Sequence, residues 1–264
     1  FYSHGKNLTY IPLIEARNNK CLLDWKTYQP PKPNRLGIHI VDSVTIKDLE
    51  AYIDWSPFFH AWEIRGTFPA ILNDEKAGEQ AKSLYNDGLK YLHELINENK
   101  LSIHGIYGIF PAQSSEESIL VFQDDSRLVK KMELNHLRQQ IDKGRNKQNY
   151  CLSDFIAPVD SGINDWIGAF AVMVGPEIPE ICFHYEKNHD DYSAIMVKIL
   201  GDRLAEAFAE KLHEDIRKMA WGYAPKESFS TEEIIMESYR GIRPAPGYPA
   251  CPDHTEKSKL FDLL

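Results

Sequence analysis

The chain lacks any long, uninterrupted run of apolar residues. A helix that spans a bilayer needs about 20 such residues, and none of the 264 positions starts a run of that kind. An excess of basic residues is also missing, because 30 Lys and Arg stand against 39 Asp and Glu, for a net charge of −9. This balance argues against a nucleic-acid-binding surface and suits a cationic ligand or a basic partner. We expect a soluble protein with neither a membrane segment nor a nucleic-acid partner.

Cysteine is scarce and shows no paired motif. The four cysteines lie at positions 21, 151, 182 and 251 without a Cys-x-x-Cys spacing, which predicts reduced thiols rather than a disulfide framework. The first residues, Phe1–Lys6, have neither an initiator Met nor the charged start and apolar run of a signal peptide. We therefore expect a cytoplasmic protein and a chain cut from a longer one.

Hydrophobic periodicity predicts long helices together with short strands. Because strands and helices do not alternate regularly, the pattern favours an α+β fold, an antiparallel β-sheet packed with long helices. The apolar run Ile167–Val174 is predicted to be a buried central strand, and Gln113–Glu117 a polar turn between two strands. The predicted helices cover 14–17, 45–52, 75–99, 191–221 and 230–239. The other predicted strands cover 37–41, 103–110 and 118–123. A strand followed by a short helix is predicted over 132–140, and a basic turn is predicted at 143–147.

The chain is predicted to begin with an arm. The run Tyr28–Pro33 contains three prolines, which make a stiff connector. We expect residues 1–34 to be an interdomain linker arm and residues 35–264 to form a single domain.

A proline-rich segment near the C-terminus, residues 240–254 and here called the proline segment, concentrates rigid backbone, cation, aromatic ring and thiol. Its four prolines remove backbone donors and predict an extended ribbon with exposed carbonyls. Arg243 supplies a planar fork suited to a carboxylate, Gly247 lets backbone approach a ligand, and Tyr248 offers a flat face with a polar tip. The segment is either a ligand wall or a surface loop that ties two helices together.

An acidic face is predicted on the longest helix. Asp202, Glu206 and Glu210 recur every four residues and therefore lie on one side of that helix. The alternatives are a ligand-binding role and a solvated stripe relieved by neighbouring basic residues, which are Arg203, Lys211 and His213.

Several segments resemble one known family. The string Arg243-x-x-x-Gly247-Tyr248-x-x-Cys251-Pro252-x-His254 is similar to the signature of the S-adenosylmethionine-binding activation domain of cobalamin-dependent methionine synthase. Further segments resemble the same domain in the same order, so the likeness spans nearly the whole chain; they are Tyr52–Phe59, Asn149–Phe155, Ile167–Val172 and Asp202–Glu210. The family domain continues past the point where this chain ends, at Leu264, through a stretch that also touches the ligand.

The resemblance implies a reactivation module of a methyltransferase, one that is not self-sufficient. The whole enzyme makes methionine from homocysteine and methyltetrahydrofolate, and this module binds S-adenosylmethionine for the reductive methylation of cob(II)alamin to methylcobalamin. The implied cofactors are S-adenosylmethionine and cobalamin (vitamin B12), the latter held mainly by a neighbouring domain of the same polypeptide. The implied electron donor is a flavodoxin or a flavodoxin-like reductase.

The resemblance also implies ligand-binding residues. Asp54 matches a ligand-contacting aspartate, expected at the α-amino group, and Arg243 is expected to pair with the α-carboxylate. Glu206 and Glu237 match carboxylates of the site. Ala245, Gly247 and Tyr248 are expected to line the rest of the pocket, and His254 either orients the proline segment or faces the corrin.

Other chemistry is disfavoured. The pair Cys251 and His254, even with the cluster around His189, fits no common zinc spacing, so no metal site and no catalytic base or nucleophile are expected. A free-standing methyltransferase is disfavoured because a glycine-rich strand-to-helix loop is missing. The remaining alternative is a regulatory or interaction domain of the same fold that does not bind S-adenosylmethionine.

Overall fold

The structure is a computed structural model that describes residues 8–144 and 147–264. The predicted basic turn at 143–147 therefore lies partly outside the described residues, and the N-terminal run Phe1–Lys6 lies wholly outside them. The strands are β1 (Gly37–Val41), β2 (Ile103–Ser115), β3 (Ser118–Phe122), β4 (Lys130–Asn135) and β5 (Asp165–Val174). The helices are α1 (Leu13–Asn18), α2 (Ile46–Leu49), α3 (Ser56–Ala61), α4 (Gly78–Asn97), α5 (Ile178–Lys187), α6 (Asp191–Asp215), α7 (Thr231–Ile235) and α8 (Glu256–Leu263). Short 3₁₀ turns occupy Glu50–Tyr52, Ala70–Asn73, Leu152–Phe155 and Val159–Ser161, and a π-turn at Ile216–Ala220 extends α6.

The five strands form one antiparallel sheet around β2, so the predicted fold class is confirmed. One edge of β2 pairs first with β1, Ile109 opposite Gly37, and further along with β3, Ala112 opposite Val121. The other edge pairs along most of its length with β5. Strand β4 pairs with β3.

Strand β5 is not the buried central strand that its apolar run predicted. Within the described residues it pairs with β2 alone, so its other edge is unpaired. Three small residues explain why an apolar run is not buried on both sides; they are Gly168, Ala169 and Ala171. These residues keep the run apolar, but their side chains fill little volume and leave room for a cavity beside the strand.

Helix α6 packs across one face of the sheet. Leu200, Leu204 and Phe208 on this helix are fully buried, and a Cβ added at Gly105 of β2 would lie only 2.6 Å from the Phe208 ring. The missing side chain at Gly105 thus allows the helix to approach the sheet closely. Helix α8 covers the opposite face, where Leu263 packs against Phe110 and its neighbours.

Two predicted elements differ in the structure. The turn between β2 and β3 comprises Glu116 and Glu117 alone, because Gln113 and Ser114 are buried in β2 and their side chains donate to backbone carbonyls of other segments. The helix predicted before Gln140 does not form. Its backbone amides bond across to other segments instead, for example from Gln139 to the Tyr150 carbonyl at 3.0 Å.

The predicted arm lies against the domain over its described part. Arg17 pairs with Glu117 at 2.6 Å, and the Trp221 indole donates to the Pro31 carbonyl at 2.8 Å. Among the described residues, no helix is both long and apolar enough to cross a membrane.

Buried Arg138 fixes the irregular segment that follows β4. Its side chain is 2% exposed and donates to Glu117 at 2.9 Å, to both carboxylate oxygens of Asp154 at 2.7 and 2.8 Å, and to the Asn149 carbonyl at 2.9 Å. Removing one partner of such a pair leaves uncompensated buried charge.

Arg138→Ala is expected to lower the free energy of unfolding by about 3–5 kcal/mol, since buried Asp154 then loses its partner and Glu117 keeps only Arg17. Urea denaturation measures the change. Lys130→Ala, which breaks an exposed pair with Glu133, is the control and should change stability little. Equal effects of the two substitutions would contradict the role of Arg138.

Candidate functional site

The cavity beside β5 has a volume of about 520 Å³. It lies between this strand, the proline segment and residues Tyr28–Pro31, and its walls are mostly apolar, with a few polar and charged side chains. A cavity of this size and character suits a small molecule rather than a protein segment. Residues that line it include Tyr28, Pro31, Trp166, Gly168, Phe170, His213, Trp221, Arg240, Arg243 and Ala245.

The proline segment changes direction within its length. It has no regular structure over 242–245, as predicted for an extended ribbon, but then folds into a tight turn. Gly247, at φ 109°, allows the reversal, and its amide donates to the Cys251 carbonyl at 2.9 Å. The prediction of a ribbon extended throughout was therefore wrong, because prolines that remove donors also tolerate a turn when a glycine stands between them.

The Cys251 side chain secures this turn. Its thiol donates to the Ala245 carbonyl at 3.2 Å, and the Leu152 amide donates to the neighbouring Ala250 carbonyl at 2.9 Å. Burial raises the pKa of the Cys251 thiol, which disfavours the nucleophilic thiolate. Cys251 therefore holds the segment against the domain.

Arg243 is held by two carboxylates of α6. Its Nη2 donates to Glu206 at 3.0 Å and also to Glu210. The Arg243 side chain is 17% exposed, that of Glu206 is 51% exposed and that of Glu210 is 9% exposed. Burial raises the pKa of Glu210, an effect that Arg243 opposes. The acidic face predicted on this helix is thus only partly solvated, and its buried end meets the proline segment.

A further arginine, Arg217, is buried close to the cavity, where it contacts His213 of the cavity wall. Its guanidinium is fully buried and paired with Glu227. The guanidinium carbon lies 3.9 Å from the centroid of the Tyr239 ring. The Nη1 atom of Arg217 donates to His213 Nδ1 at 2.6 Å. Since Arg can only donate, His213 Nδ1 accepts and is unprotonated. This cluster was not predicted, although His213 was placed beside the acidic stripe, because the bond from Arg217 to Glu227 crosses a chain reversal.

The structure brings only some of the predicted site residues to the cavity wall, namely Arg243 and Ala245. Asp54 is half-buried after the 3₁₀ turn and accepts from the Ser56 amide at 2.9 Å. Glu206 does not line the cavity itself, but it accepts a hydrogen bond from Arg243, which does. Glu237 is exposed, at φ 54°, beyond the end of α7 at Ile235.

The prediction that Glu237 lies on a helix running to Tyr239 was wrong. The helix stops at Ile235 and the chain adopts a left-handed turn at Glu237 before the Tyr239 ring is buried.

The remaining predicted residues lie on the outer side of the turn. Tyr248 is 57% exposed and His254 is exposed. The His254 ring lies directly over Gly247, since a Cβ added there would be 2.4 Å from it. In the described part of the chain no group of three His, Cys, Asp or Glu side chains is placed to hold a metal ion.

Two neutral histidines border the cavity, His213 and His136. Burial, together with Arg217 and Arg243, lowers the pKa of His213 to about 3, and burial lowers the pKa of His136 to about 4. Asp165 is also buried, but for a carboxylic acid burial raises the pKa, here to about 6, so folding favours proton binding at this residue and disfavours it at the two histidines.

The histidines predict a loss of stability in acid. The unfolded chain binds their protons near pH 6.5, whereas the folded chain does not until about pH 3 to 4. Stability that is complete above pH 6.5 should therefore decline as the pH falls, by up to about 1.4 kcal/mol per pH unit for each histidine. Asp165, whose folded form binds its proton first, offsets part of this decline below pH 6.

His213→Asn keeps an acceptor for Arg217 and removes the titrating group, so it should flatten the decline between pH 6.5 and 4. Urea denaturation across that range measures the slope. His184→Asn, at an exposed position, is the control. A slope unchanged in His213→Asn would show that this histidine is not held neutral.

Comparison with known proteins agrees with the fold and the sequence motifs. Residues 45–264 match the family model described as the activation domain of vitamin B12-dependent methionine synthase. The crystal structure of the MetH reactivation domain bound to AdoHcy is 49% identical to this chain and superposes with a TM-score of 0.92. The match covers 97% of this chain and 78% of that one. The family model alone spans well over half of the sequence, and this chain therefore belongs to the activation domains of vitamin B12-dependent methionine synthase.

Proposed function

We propose that this chain binds S-adenosylmethionine and presents its methyl group for the reductive methylation that returns cob(II)alamin to methylcobalamin. The chemistry comes from the two cofactors: S-adenosylmethionine supplies the methyl group and cobalamin receives it. The chain's own residues bind and orient the ligand and exclude water, so no general base is assigned. The module would act within an enzyme that makes methionine from homocysteine and methyltetrahydrofolate.

The observation that carries this proposal is the position of Arg243 at the wall of the cavity. An amino-acid ligand needs a cation for its carboxylate, and a guanidinium fork suits that geometry. A cavity of about 520 Å³ falls within the range that encloses ligands of this size. The structural neighbour that contains AdoHcy, which carries the same amino-acid and adenosine parts, supports the choice of ligand.

Carboxylates suit the cationic parts of the ligand. In this proposal Asp54, Glu206 and Glu237 face the α-amino group or the sulfonium, either directly or through water. Exposed Glu206 is free to turn from Arg243 toward the ligand, since its side chain is half in solvent. An overall charge of −9 also favours approach of a cationic ligand.

The turn of the proline segment would close the rest of the site. Ala245 and Gly247 offer backbone to the ligand, and exposed Tyr248 provides an aromatic face that becomes covered on binding. His254, exposed beside Gly247, is proposed to face the corrin. These roles place the reacting methyl group on the outer side of the turn.

The proposed partners follow from the same role. Residues 1–34 are proposed to be the interdomain arm and 35–264 the ligand-binding domain, with a cobalamin-binding domain in the same polypeptide. The electron donor would be a flavodoxin or a flavodoxin-like reductase, and the enzyme would work in the cytoplasm.

Arg243→Ala is expected to weaken S-adenosylmethionine binding by about 2 kcal/mol or more, roughly thirtyfold, as the ligand carboxylate loses its charged partner. Isothermal titration calorimetry measures the affinity. Arg65→Ala, at an exposed arginine, is the control and should leave it unchanged.

Equal affinity in a folded Arg243→Ala variant would remove Arg243 from the site. If the unmodified chain binds no S-adenosylmethionine at all, the alternative, an interaction domain of the same fold, is favoured.

A further inference from the structure

Glu210 is a buried acid that the proposed ligand contacts do not use. It lies one turn after Glu206 on α6, and both carboxylates accept from the same nitrogen of Arg243, Nη2. Sharing one nitrogen leaves Nη1 of the guanidinium, which makes no hydrogen bond to the described residues, for another acceptor. Arg243 lines the cavity, so that acceptor can be a ligand.

The two carboxylates differ in freedom to move. Glu206 is 51% exposed and can rotate into solvent at little cost. Glu210 is 9% exposed, and separating it from Arg243 would leave a buried charge without its partner, which is strongly unfavourable. When a ligand displaces Glu206, Glu210 therefore remains on the guanidinium.

The surroundings of this pair are incompletely satisfied. Within the described chain, Glu210 Oε2, Arg243 Nε and the Tyr239 hydroxyl are buried and make no hydrogen bond of good geometry, although Tyr239 and Arg243 lie close enough to shift each other's pKa. Such groups are uncommon in folded proteins and call for an explanation. Two of the three, Arg243 Nε and the Tyr239 hydroxyl, are donors and are suited to an arriving carboxylate, whereas Glu210 Oε2 only accepts and is not satisfied by such a group.

We propose that Glu210 is a positioning residue that fixes the Arg243 guanidinium through Nη2 and so directs its remaining donors at the α-carboxylate of the ligand. This inference rests on the proposed function, since it assumes an amino-acid ligand at Arg243. It separates the roles of the two glutamates: Glu206 exchanges between the arginine and the ligand, while Glu210 keeps the arginine in place. The gain comes from preorganisation, because a guanidinium that is already fixed loses less entropy on binding.

The test compares a ligand that has the α-carboxylate with one that lacks the amino-acid part. Glu210→Gln is expected to weaken binding of S-adenosylhomocysteine by about tenfold, roughly the loss of one charge-assisted contact. Binding of 5′-methylthioadenosine should stay the same, because this ligand does not reach Arg243. Isothermal titration calorimetry at mildly alkaline pH, where carboxylates are ionised, gives both affinities.

Asp202→Asn is the matched control, since it removes an exposed carboxylate two turns earlier on the same helix face and should alter neither affinity. Glu210→Asp, which shortens the reach to Nη2 and keeps the charge, should reproduce the selective loss and serves if Glu210→Gln fails to fold. A loss shared equally by both ligands would show a general structural role and overturn the proposal. Unchanged S-adenosylhomocysteine binding would overturn the proposal as well, by showing that Glu210 does not affect the ligand. Tighter binding would overturn it by showing that Glu210 competes with the ligand for Arg243.

The outcomes also separate this inference from the proposed function. If the unmodified chain binds neither ligand, the proposed function fails first. If it binds both and Glu210→Gln behaves like the unmodified chain, only the positioning role of Glu210 fails.

Discussion

Helix α6 packs so closely on the sheet that its position determines both the hydrophobic core and the candidate site. One face of this helix buries Leu204 and Phe208 against β2, and the approach is possible because Gly105 has no side chain. The neighbouring face carries Glu206 and Glu210 to the proline segment. A single rigid element thus links the hydrophobic core to the site, and a change in its packing would move the carboxylates that hold Arg243.

Buried arginines fix the parts of the chain that lack regular secondary structure. Arg138 gathers the segment after β4, Arg217 holds the loop at Glu227, and Arg243 attaches the proline segment to α6. Each arginine bonds to at least one carboxylate that is itself at least nine-tenths buried. Since breaking one such pair costs far more than breaking an exposed one, these pairs hold the loops near the cavity in one geometry.

Local patterns in the sequence were sufficient for much of the fold. Strand β1 lies at the predicted residues, and α4 begins and ends within a few residues of its prediction, because periodicity and composition determine such elements locally. The position of β5 could not be predicted in this way, since an apolar run does not reveal whether it pairs on one edge or two. The helix predicted before Gln140 failed for a related reason: its amides find partners in distant segments.

In the candidate site, too, local features could be predicted from the sequence and contacts between distant residues could not. The motif around Arg243 and Gly247 pointed to a segment that the structure places at the cavity wall. The ion pair between Glu210 and Arg243 and the cluster around Arg217, in contrast, depend on contacts between residues far apart in the chain or across a reversal. The spacing of Glu206 and Glu210 did signal one helical face, yet it could not distinguish a solvated face from one buried against Arg243. Burial, which decides between those two, is a property of the assembled fold.

In the proposed function, the cavity between β5 and the proline segment receives an amino-acid ligand whose carboxylate binds Arg243. The most direct test is a crystal structure of this chain with S-adenosylhomocysteine. We expect the ligand carboxylate within hydrogen-bond distance of Arg243, with Glu210 still on Nη2 and Glu206 turned away from the guanidinium. A ligand bound elsewhere, or one that leaves Arg243 paired with both glutamates, would rule out this mode of binding.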